Sequence, residues 1–197
     1  MDKFMLILAQ ALGFVTTAQC LVHPFFKKRW QMLVNTIAMN VLMGLSAFII
    51  GGYVFGSAIL IYVVAVAQSV IAVYHAVKEQ KVSLLESVLF SLLYIICGVI
   101  GMVITVRSLP EGTSLVFTVI HELLPIIGAL MLCFSVFAKD EQTMRKYGLV
   151  NAAVWSVYFI YPFSTTIFTE LTALTTVCIA LYKYRAKKDE SERVSED

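Results

Sequence analysis

Residues 84–106 read LLESVLFSLLYIICGVIGMVITV, an apolar run in which Glu86, near its start, is the single charged residue. A helix of about 20 apolar residues spans the hydrocarbon core of a bilayer, which is roughly 30 Å thick. Water-soluble domains carry a charged residue at about every fourth position, so such runs are rare in them. Residues 84–106 therefore predict a transmembrane helix.

The same pattern recurs three times on either side of this segment. The chain of 197 residues is 59% hydrophobic and 14% charged, and its mean hydropathy is +0.84. Nearly all of it can therefore lie in a bilayer. The predicted spans, each of the length that one crossing needs, are 4–21, 30–50, 53–76, 84–106, 115–137, 144–162 and 165–184. They predict an all-α integral membrane protein with seven transmembrane helices.

The two ends of the chain and the cysteines lead to separate expectations. No small-residue cleavage site follows the first apolar run, so we expect a retained helix rather than a signal peptide. Residues 186–197, AKKDESERVSED, are too polar to bury a core and predict a disordered tail. The four cysteines lie singly in apolar runs without C-x-x-C spacing. We therefore expect no disulfide, no metal site and no cofactor.

Lysine and arginine residues are sorted between the two sides of the membrane. With seven crossings, one side receives only Lys3 and Arg107. The other side receives Lys27, Lys28, Arg29, Lys78, Lys81, Lys139, Arg145, Lys146, Lys183, Arg185, Lys187, Lys188 and Arg193. Loops rich in lysine and arginine face the cytoplasm. The sorting predicts an N-terminus outside and a C-terminus in the cytoplasm.

Short matches between the two halves of the chain indicate an internal repeat. The matching pairs are 12–13 with 127–128, 33–35 with 149–151, and 71–74 with 179–182, at separations of 115, 116 and 108 residues. Their constant order suggests duplication of a three-helix unit. We predict a first unit in residues 1–82, a linker helix in 83–113 and a second unit in 114–185. Three helices plus one linker give both units the same orientation, so they are parallel repeats.

This 3+1+3 plan resembles the SWEET sugar transporters, whose units are parallel repeats about an axis along the membrane normal. The segments ELLPIIG at 122–128, LVNAAVW at 149–155 and IFTE at 167–170 also resemble the bacterial inner-membrane YgjV-like family. That family is a distant member of the PQ-loop and SWEET superfamily. The resemblance covers most of the chain and implies a SWEET-like fold in a bacterial inner membrane. The chain departs from the pattern because neither unit carries a Pro-Gln pair at the end of its first helix.

Two acidic residues are predicted to lie inside the bilayer, where an ionisable group costs roughly 2.5–3.5 kcal/mol and suggests a function. Glu122 lies on the order of 10 Å inside the fifth helix, and Glu170 lies at a similar depth in the seventh. Two carboxylates in a low-dielectric site cannot both ionise, so they can share a proton. We expect a proton-linked or cation-linked gate on the outer side. The alternative is that each acid pairs separately with hydroxyls, water or His121.

Three further residues are predicted to bind substrate. Asn35 and Asn151 are equivalent in the two repeats and can line a path from opposite halves. The alternative is that they fasten helices through amide hydrogen bonds. Trp155 lies one turn after Asn151 on the same helix face and near the middle of the bilayer. It suits stacking on a sugar ring or a flat solute, with plain packing as the alternative.

The sequence favours transport over catalysis. No Ser-His-acid set, phosphate-binding glycine loop or paired-histidine motif is recognisable, so we expect no enzymatic activity. The resemblance implies a transporter or facilitator of a small polar solute such as a sugar. A non-transporting scaffold or accessory subunit is the alternative. The expected partners are the lipid bilayer, a small polar solute and further copies of the chain, and nucleic acid is not expected. Transport predicts polar residues of both repeats at one cavity, whereas a scaffold predicts a dry interior.

Overall fold

The computed structural model describes residues 3–51, 56–109, 112–160 and 166–196, and this part of the chain contains helices and no strand. A 3-10 turn at His23–Phe25 separates the first two helices. The helices are α1 (Lys3–Val22), α2 (Arg29–Gly51), α3 (Gly56–Val77), α4 (Leu84–Arg107), α5 (Leu115–Val136), α6 (Glu141–Ile160) and α7 (Thr166–Glu196). Each overlaps one of the seven predicted segments, so the prediction of an all-α fold is confirmed.

The boundaries differ most at α6. This helix begins at Glu141 rather than at residue 144, because Asp140 caps it: a carboxylate oxygen of Asp140 accepts the backbone N–H of Thr143 at 2.8 Å. Hydropathy alone does not reveal a polar first turn. The predicted boundaries at residues 53, 162 and 165 lie outside the described residues.

The C-terminal segment also differs from its prediction. α7 continues as a helix to Glu196, whereas the composition of residues 186–197 predicts a disordered tail. Lysine and glutamate have high helix propensity, and extending an existing helix requires no new nucleation. A segment that is too polar to bury a core can therefore still be helical, which corrects the prediction for residues 186–196.

Among the residues that the structure describes, five helices, α1 to α5, are long and apolar enough to cross a membrane. α6 and α7 are not among them. In α6 the first two turns contain Glu141, Arg145 and Lys146, which lower the hydropathy of the helix. The outward faces of the bundle are apolar: Val63 is 66% exposed and Leu84 is 81% exposed. This distribution suits a bundle surrounded by lipid.

The helix contacts form a closed circuit. α1 packs against α2, α2 against α3, α3 against α5, α5 against α6, α6 against α7, and α7 against α1. The linker helix α4 packs against both α3 and α5. α4 touches α5 closely at Gly98, where an added Cβ would overlap the side chain of Ile126. Small residues permit such close approach of helices in membranes.

Hydrogen bonds show that α1 and α7 are parallel. Near the start of α7, the hydroxyl of Thr169 lies 2.8 Å from that of Thr17. Later in α7, the hydroxyl of Thr176 donates to the carbonyl of Cys20 at 3.2 Å. Because residue numbers rise together along both helices, the two run in the same direction.

A polar cavity as candidate functional site

A cavity of about 100 Å³ lies between α2, α3, α5, α6 and α7, and the 3-10 turn forms part of its wall. Its volume is enough for several water molecules or one compact organic solute. The polar side chains at the wall include Asn40 and Tyr62 from the first half of the chain and Asn151 and Glu170 from the second. The cavity therefore lies between the two predicted units.

Several polar atoms at this wall lack a protein partner. Asn40 Nδ2, Tyr62 Oη and Asn151 Oδ1 are buried and form no hydrogen bond within the part of the chain that the structure describes. Glu170 is 7% exposed, and no hydrogen bond or ion pair joins its carboxyl group to another described residue. A buried polar group without a partner costs about 1–3 kcal/mol. These three atoms are covered by other protein atoms, so a ligand in the cavity does not touch them in this conformation, whereas the carboxyl group of Glu170 is not covered in this way.

Trp155 is at the centre of an aromatic cluster beside the cavity. Its ring stacks on Tyr62 of α3 with centroids 5.6 Å apart and on Phe159 with centroids 5.5 Å apart. On its other side, a Cβ added to Gly128 would lie 2.7 Å from the indole nitrogen. The indole is therefore held between α3 and α5, so both predicted readings of Trp155, packing and contact with a solute, are compatible with its position.

Three of the five predicted site residues line the cavity: Asn151, Trp155 and Glu170. Asn35 is not among the lining residues. Its Nδ2 lies 3.1 Å from Nδ1 of His23 and 3.2 Å from Sδ of Met39. Asn35 therefore connects α2 to the 3-10 turn, which matches the alternative of helix fastening.

Glu122 also lies outside the cavity lining. It is 1% exposed, and its carboxylate is 3.7 Å from Nδ1 of His121. Nε2 of His121 lies 2.9 Å from the carbonyl oxygen of Tyr158 and donates to it, because a carbonyl can only accept. His121 thus joins α5 to α6 and faces Glu122 with its other nitrogen. The cavity contains only one of the two predicted carboxylates, and the shared-proton gate stays a prediction.

Tyr62 and Asn40 are not among the residues that the sequence predicts to bind substrate. The separation of 108 residues between segments 71–74 and 179–182 also relates Tyr62 to Glu170. Extending the repeat alignment back along α3 and α7 would have found this pair. Asn40 carries the weaker signal of one amide within an apolar run.

A buried arginine closes one end of the cavity. Arg145 lines the wall and is 4% exposed. Its Nε donates to the carbonyl of Pro24 at 3.1 Å, and its Nη2 donates to that of Phe26 at 3.3 Å. The guanidinium also lies 4.3 Å from the ring centroid of Tyr184, within the range of a cation–π interaction. Arg145 therefore ties α6 to the segment that follows α1.

Arg29, in the first half of the chain, makes the corresponding contact with the second half. Its Nη2 donates to the carbonyl of Val136 at the end of α5, at 3.0 Å. Arg29 and Arg145 are 116 residues apart, the same separation as the repeated LVN segments. Each arginine lies in the second helix of one half. Arg29 bonds the end of the first helix of the other half, and Arg145 bonds the segment that follows α1. We call these two contacts the arginine clasps.

Glu86 has a structural role at the start of α4. Its carboxylate accepts the backbone N–H of Ser83 at 2.7 Å, and the hydroxyl of Ser83 accepts the backbone N–H of Glu86 at 3.1 Å. This reciprocal pair is a capping box. The second carboxylate oxygen lies 2.9 Å from Nε2 of His75, so Glu86 also joins α4 to α3.

The long apolar helices define a multi-pass membrane protein. The family model Imp-YgjV, described as a bacterial inner membrane protein, matches residues 7–188. The chain belongs to this family and is a protein of the bacterial inner membrane, as the quoted segments predict. No curated protein and no solved structure matches the chain.

Proposed function

We propose that the protein is a carrier or facilitator that moves a small polar solute across the inner membrane, with the central cavity as its binding site. The observation that carries this proposal is a cavity between the two halves of the chain, at which the carboxyl group of Glu170 has no partner among the described residues. Unpartnered polar atoms of Asn40, Tyr62 and Asn151 lie buried in its wall. A scaffold that only holds helices together gains nothing from buried groups without partners, because each one destabilises the fold. Transport is therefore favoured over the scaffold.

The proposal includes two parallel three-helix units joined by α4 in a SWEET-like 3+1+3 arrangement. The helix contacts support it, because each has a counterpart: α1·α2 corresponds to α5·α6, α2·α3 to α6·α7, and α3·α5 to α7·α1. The arginine clasps are also counterparts of each other when the two halves are interchanged. So are Gln68 and Thr176, which are 108 residues apart. Gln68 donates to the carbonyl of Cys133 on α5, and Thr176 donates to that of Cys20 on α1, both at 3.2 Å.

The proposal also includes seven crossings, with the N-terminus outside and the C-terminus in the cytoplasm. Successive crossings alternate in direction, so the first and the seventh are parallel, in agreement with the hydrogen bonds between α1 and α7. The charge of Arg145 does not prevent α6 from crossing, because carbonyl oxygens and an aromatic ring surround it. With this orientation, the arginine clasps lie at the cytoplasmic end.

Thiol accessibility tests the carrier against the scaffold. On a background without native cysteines, we expect Tyr62→Cys and Asn151→Cys to react with a membrane-impermeant reagent to an extent that depends on the side of addition. The matched control is Val63→Cys, next to Tyr62 but 66% exposed on the apolar outer surface, which we expect to stay unlabelled because lipid covers it. Equal protection at all three positions in a folded protein would favour the scaffold.

A further inference from the structure

The polar groups of the cavity are unequal in what they can bind. Glu170 and the Oδ1 of Asn151 are hydrogen-bond acceptors, the hydroxyl of Tyr62 can donate or accept, and the Nδ2 of Asn40 is a donor. Three of these residues are at least nine-tenths buried: Asn40, Tyr62 and Glu170 are 7%, 5% and 7% exposed. Glu170 thus differs from the other three residues, because its carboxyl group can carry a full negative charge.

The carboxyl group of Glu170 has no counter-ion among the described residues. Two basic side chains line the same cavity, His23 and Arg145. Both have other partners, since His23 bonds Asn35 and Arg145 bonds two backbone carbonyls. A buried carboxylate needs a cation, and otherwise it must hold a proton. The binding site can therefore accept a cationic group beside Glu170.

We propose that the solute is a compact primary amine that also carries an oxygen acceptor, as in an amino alcohol or an amino acid. This inference rests on the proposed function. The ammonium group lies against the Glu170 carboxylate, and the oxygen lies towards the amide-bearing residues Asn40 and Asn151 of the same wall. A cavity of about 100 Å³ limits the solute to a few heavy atoms.

Two probes of nearly the same shape test the amine directly. Ethanolamine and ethylene glycol each have four heavy atoms and differ by exchange of an ammonium for a hydroxyl group. For the purified protein in detergent, we expect ethanolamine hydrochloride to raise the thermal unfolding midpoint in a saturable way. Ethylene glycol at the same concentration, and sodium chloride at the same ionic strength, should leave the midpoint unchanged. An equal rise with the glycol, an equal rise with sodium chloride, or no rise with ethanolamine would overturn the proposal.

Substitutions of Glu170 test whether its carboxylate binds the ammonium group. We expect Glu170→Gln to weaken ethanolamine binding at least tenfold, because the charge is lost while the shape is kept. The matched control is Glu141→Gln, which neutralises an acid at the start of α6, outside the cavity lining, and should leave the affinity unchanged. Full affinity in Glu170→Gln, or equal loss in both variants, would contradict the role of Glu170. If Glu170→Gln does not fold, Glu170→Asp keeps the charge but draws the carboxylate back by one methylene group, and it should weaken binding several-fold.

Uptake into proteoliposomes separates this inference from the proposed function. Ethanolamine binding without counterflow would contradict the carrier but support the amine site. Counterflow of a neutral polyol without any effect of ethanolamine would support the carrier and overturn the amine site. Saturable counterflow of ethanolamine that is lost in Glu170→Gln is the result expected if both are correct.

Discussion

Gly128 determines where Trp155 can lie, because the indole occupies the space that a side chain at residue 128 would need. The stack of Trp155 on Tyr62 across the two halves depends on this contact. The pair could not be predicted from sequence. A glycine in an apolar helix indicates close approach of some neighbour, but it does not identify the neighbour.

Gly128→Ala should destabilise the protein by about 1–3 kcal/mol, because the new methyl group displaces the indole from a packed core. We expect a lower unfolding midpoint and a shifted Trp fluorescence spectrum. The matched control is Gly148→Ala, also in a helix, where the nearest atom to an added Cβ is the hydroxyl of Ser135 at 3.8 Å. It should be neutral or stabilise by roughly 0.5–1 kcal/mol. Equal stability of the two variants would show that Trp155 is not fixed by Gly128.

Asp140 gives a pH-dependent contribution at the start of α6. Hydrogen bonds from Thr143, first from its backbone N–H, lower the pKa of the Asp140 carboxyl below its usual value. A group whose pKa is lower in the folded state stabilises above its unfolded pKa, and this contribution is lost as the pH falls through the folded pKa. We expect Asp140→Ala to cost about 0.5–2 kcal/mol at neutral pH and less in acid.

The control for this prediction is Asp140→Asn, which keeps the capping oxygen but does not titrate. Unfolding by denaturant at neutral and acidic pH should show a pH-dependent difference between Asp140→Ala and the wild type. Asp140→Asn should stay near the wild-type stability at neutral pH. A difference for Asp140→Ala that does not change with pH would show that the carboxylate charge has no part in the cap.

At the scale of the elements, the apolar runs predict all seven helices because lipid imposes the same length on every crossing. Hydropathy fails where a polar residue is buried by partners distant in sequence. Arg145 lies among carbonyls from residues 24 and 26, and no pattern within α6 reveals them. The predicted depth of Glu122 likewise does not show whether its side chain lines the cavity, because depth along a helix does not determine which neighbour a side chain faces.

The arginine clasps should differ in strength. Arg145→Lys should destabilise by about 1.5–3 kcal/mol, because lysine cannot donate to two carbonyls with a planar group, and charged hydrogen bonds have this magnitude. Arg29→Lys should cost less, because a single bond to Val136 is involved and the side chain is only partly buried. Lys146→Gln, at the exposed neighbour of Arg145, is the control and should change stability by less than about 0.5 kcal/mol. Unfolding in detergent measures all three, and equal effects would contradict the clasps.

At the scale of the whole molecule, the repeat relates the environments of the two halves without making them identical. Tyr62 and Glu170 are related by the repeat and line the same cavity. Asn35 and Asn151 are also related by the repeat, yet of these two only Asn151 lines the cavity. The amide of Asn35 contacts His23 instead. Sequence symmetry therefore predicts the circuit of helices better than it predicts the binding residues. A cavity with different groups on its two sides suits a solute with two different ends.

The closed circuit requires α7 to lie beside α1, and a cross-link tests this contact. The hydroxyls of Thr17 and Thr169 are 2.8 Å apart, close enough for two cysteines to form a disulfide with little movement. On a background without native cysteines, Thr17→Cys with Thr169→Cys should oxidise readily. A protease site introduced into residues 109–114 splits the chain, so a full-length band on a non-reducing gel reports the bond. Phe14→Cys with Thr169→Cys is the control, because Phe14 is 67% exposed on the outer surface.

The same disulfide tests which contact a carrier would open during transport. Alternating access requires the two proposed units to move relative to each other, and the contacts of α1 with α7 and of α3 with α5 are the most extensive ones between their helices. The disulfide should therefore slow solute counterflow in proteoliposomes, and a reductant should restore it. A cross-linked protein with an undiminished counterflow rate would mean that the α1·α7 contact stays closed throughout transport. The movement would then have to occur at the contact of α3 with α5, beside the linker helix.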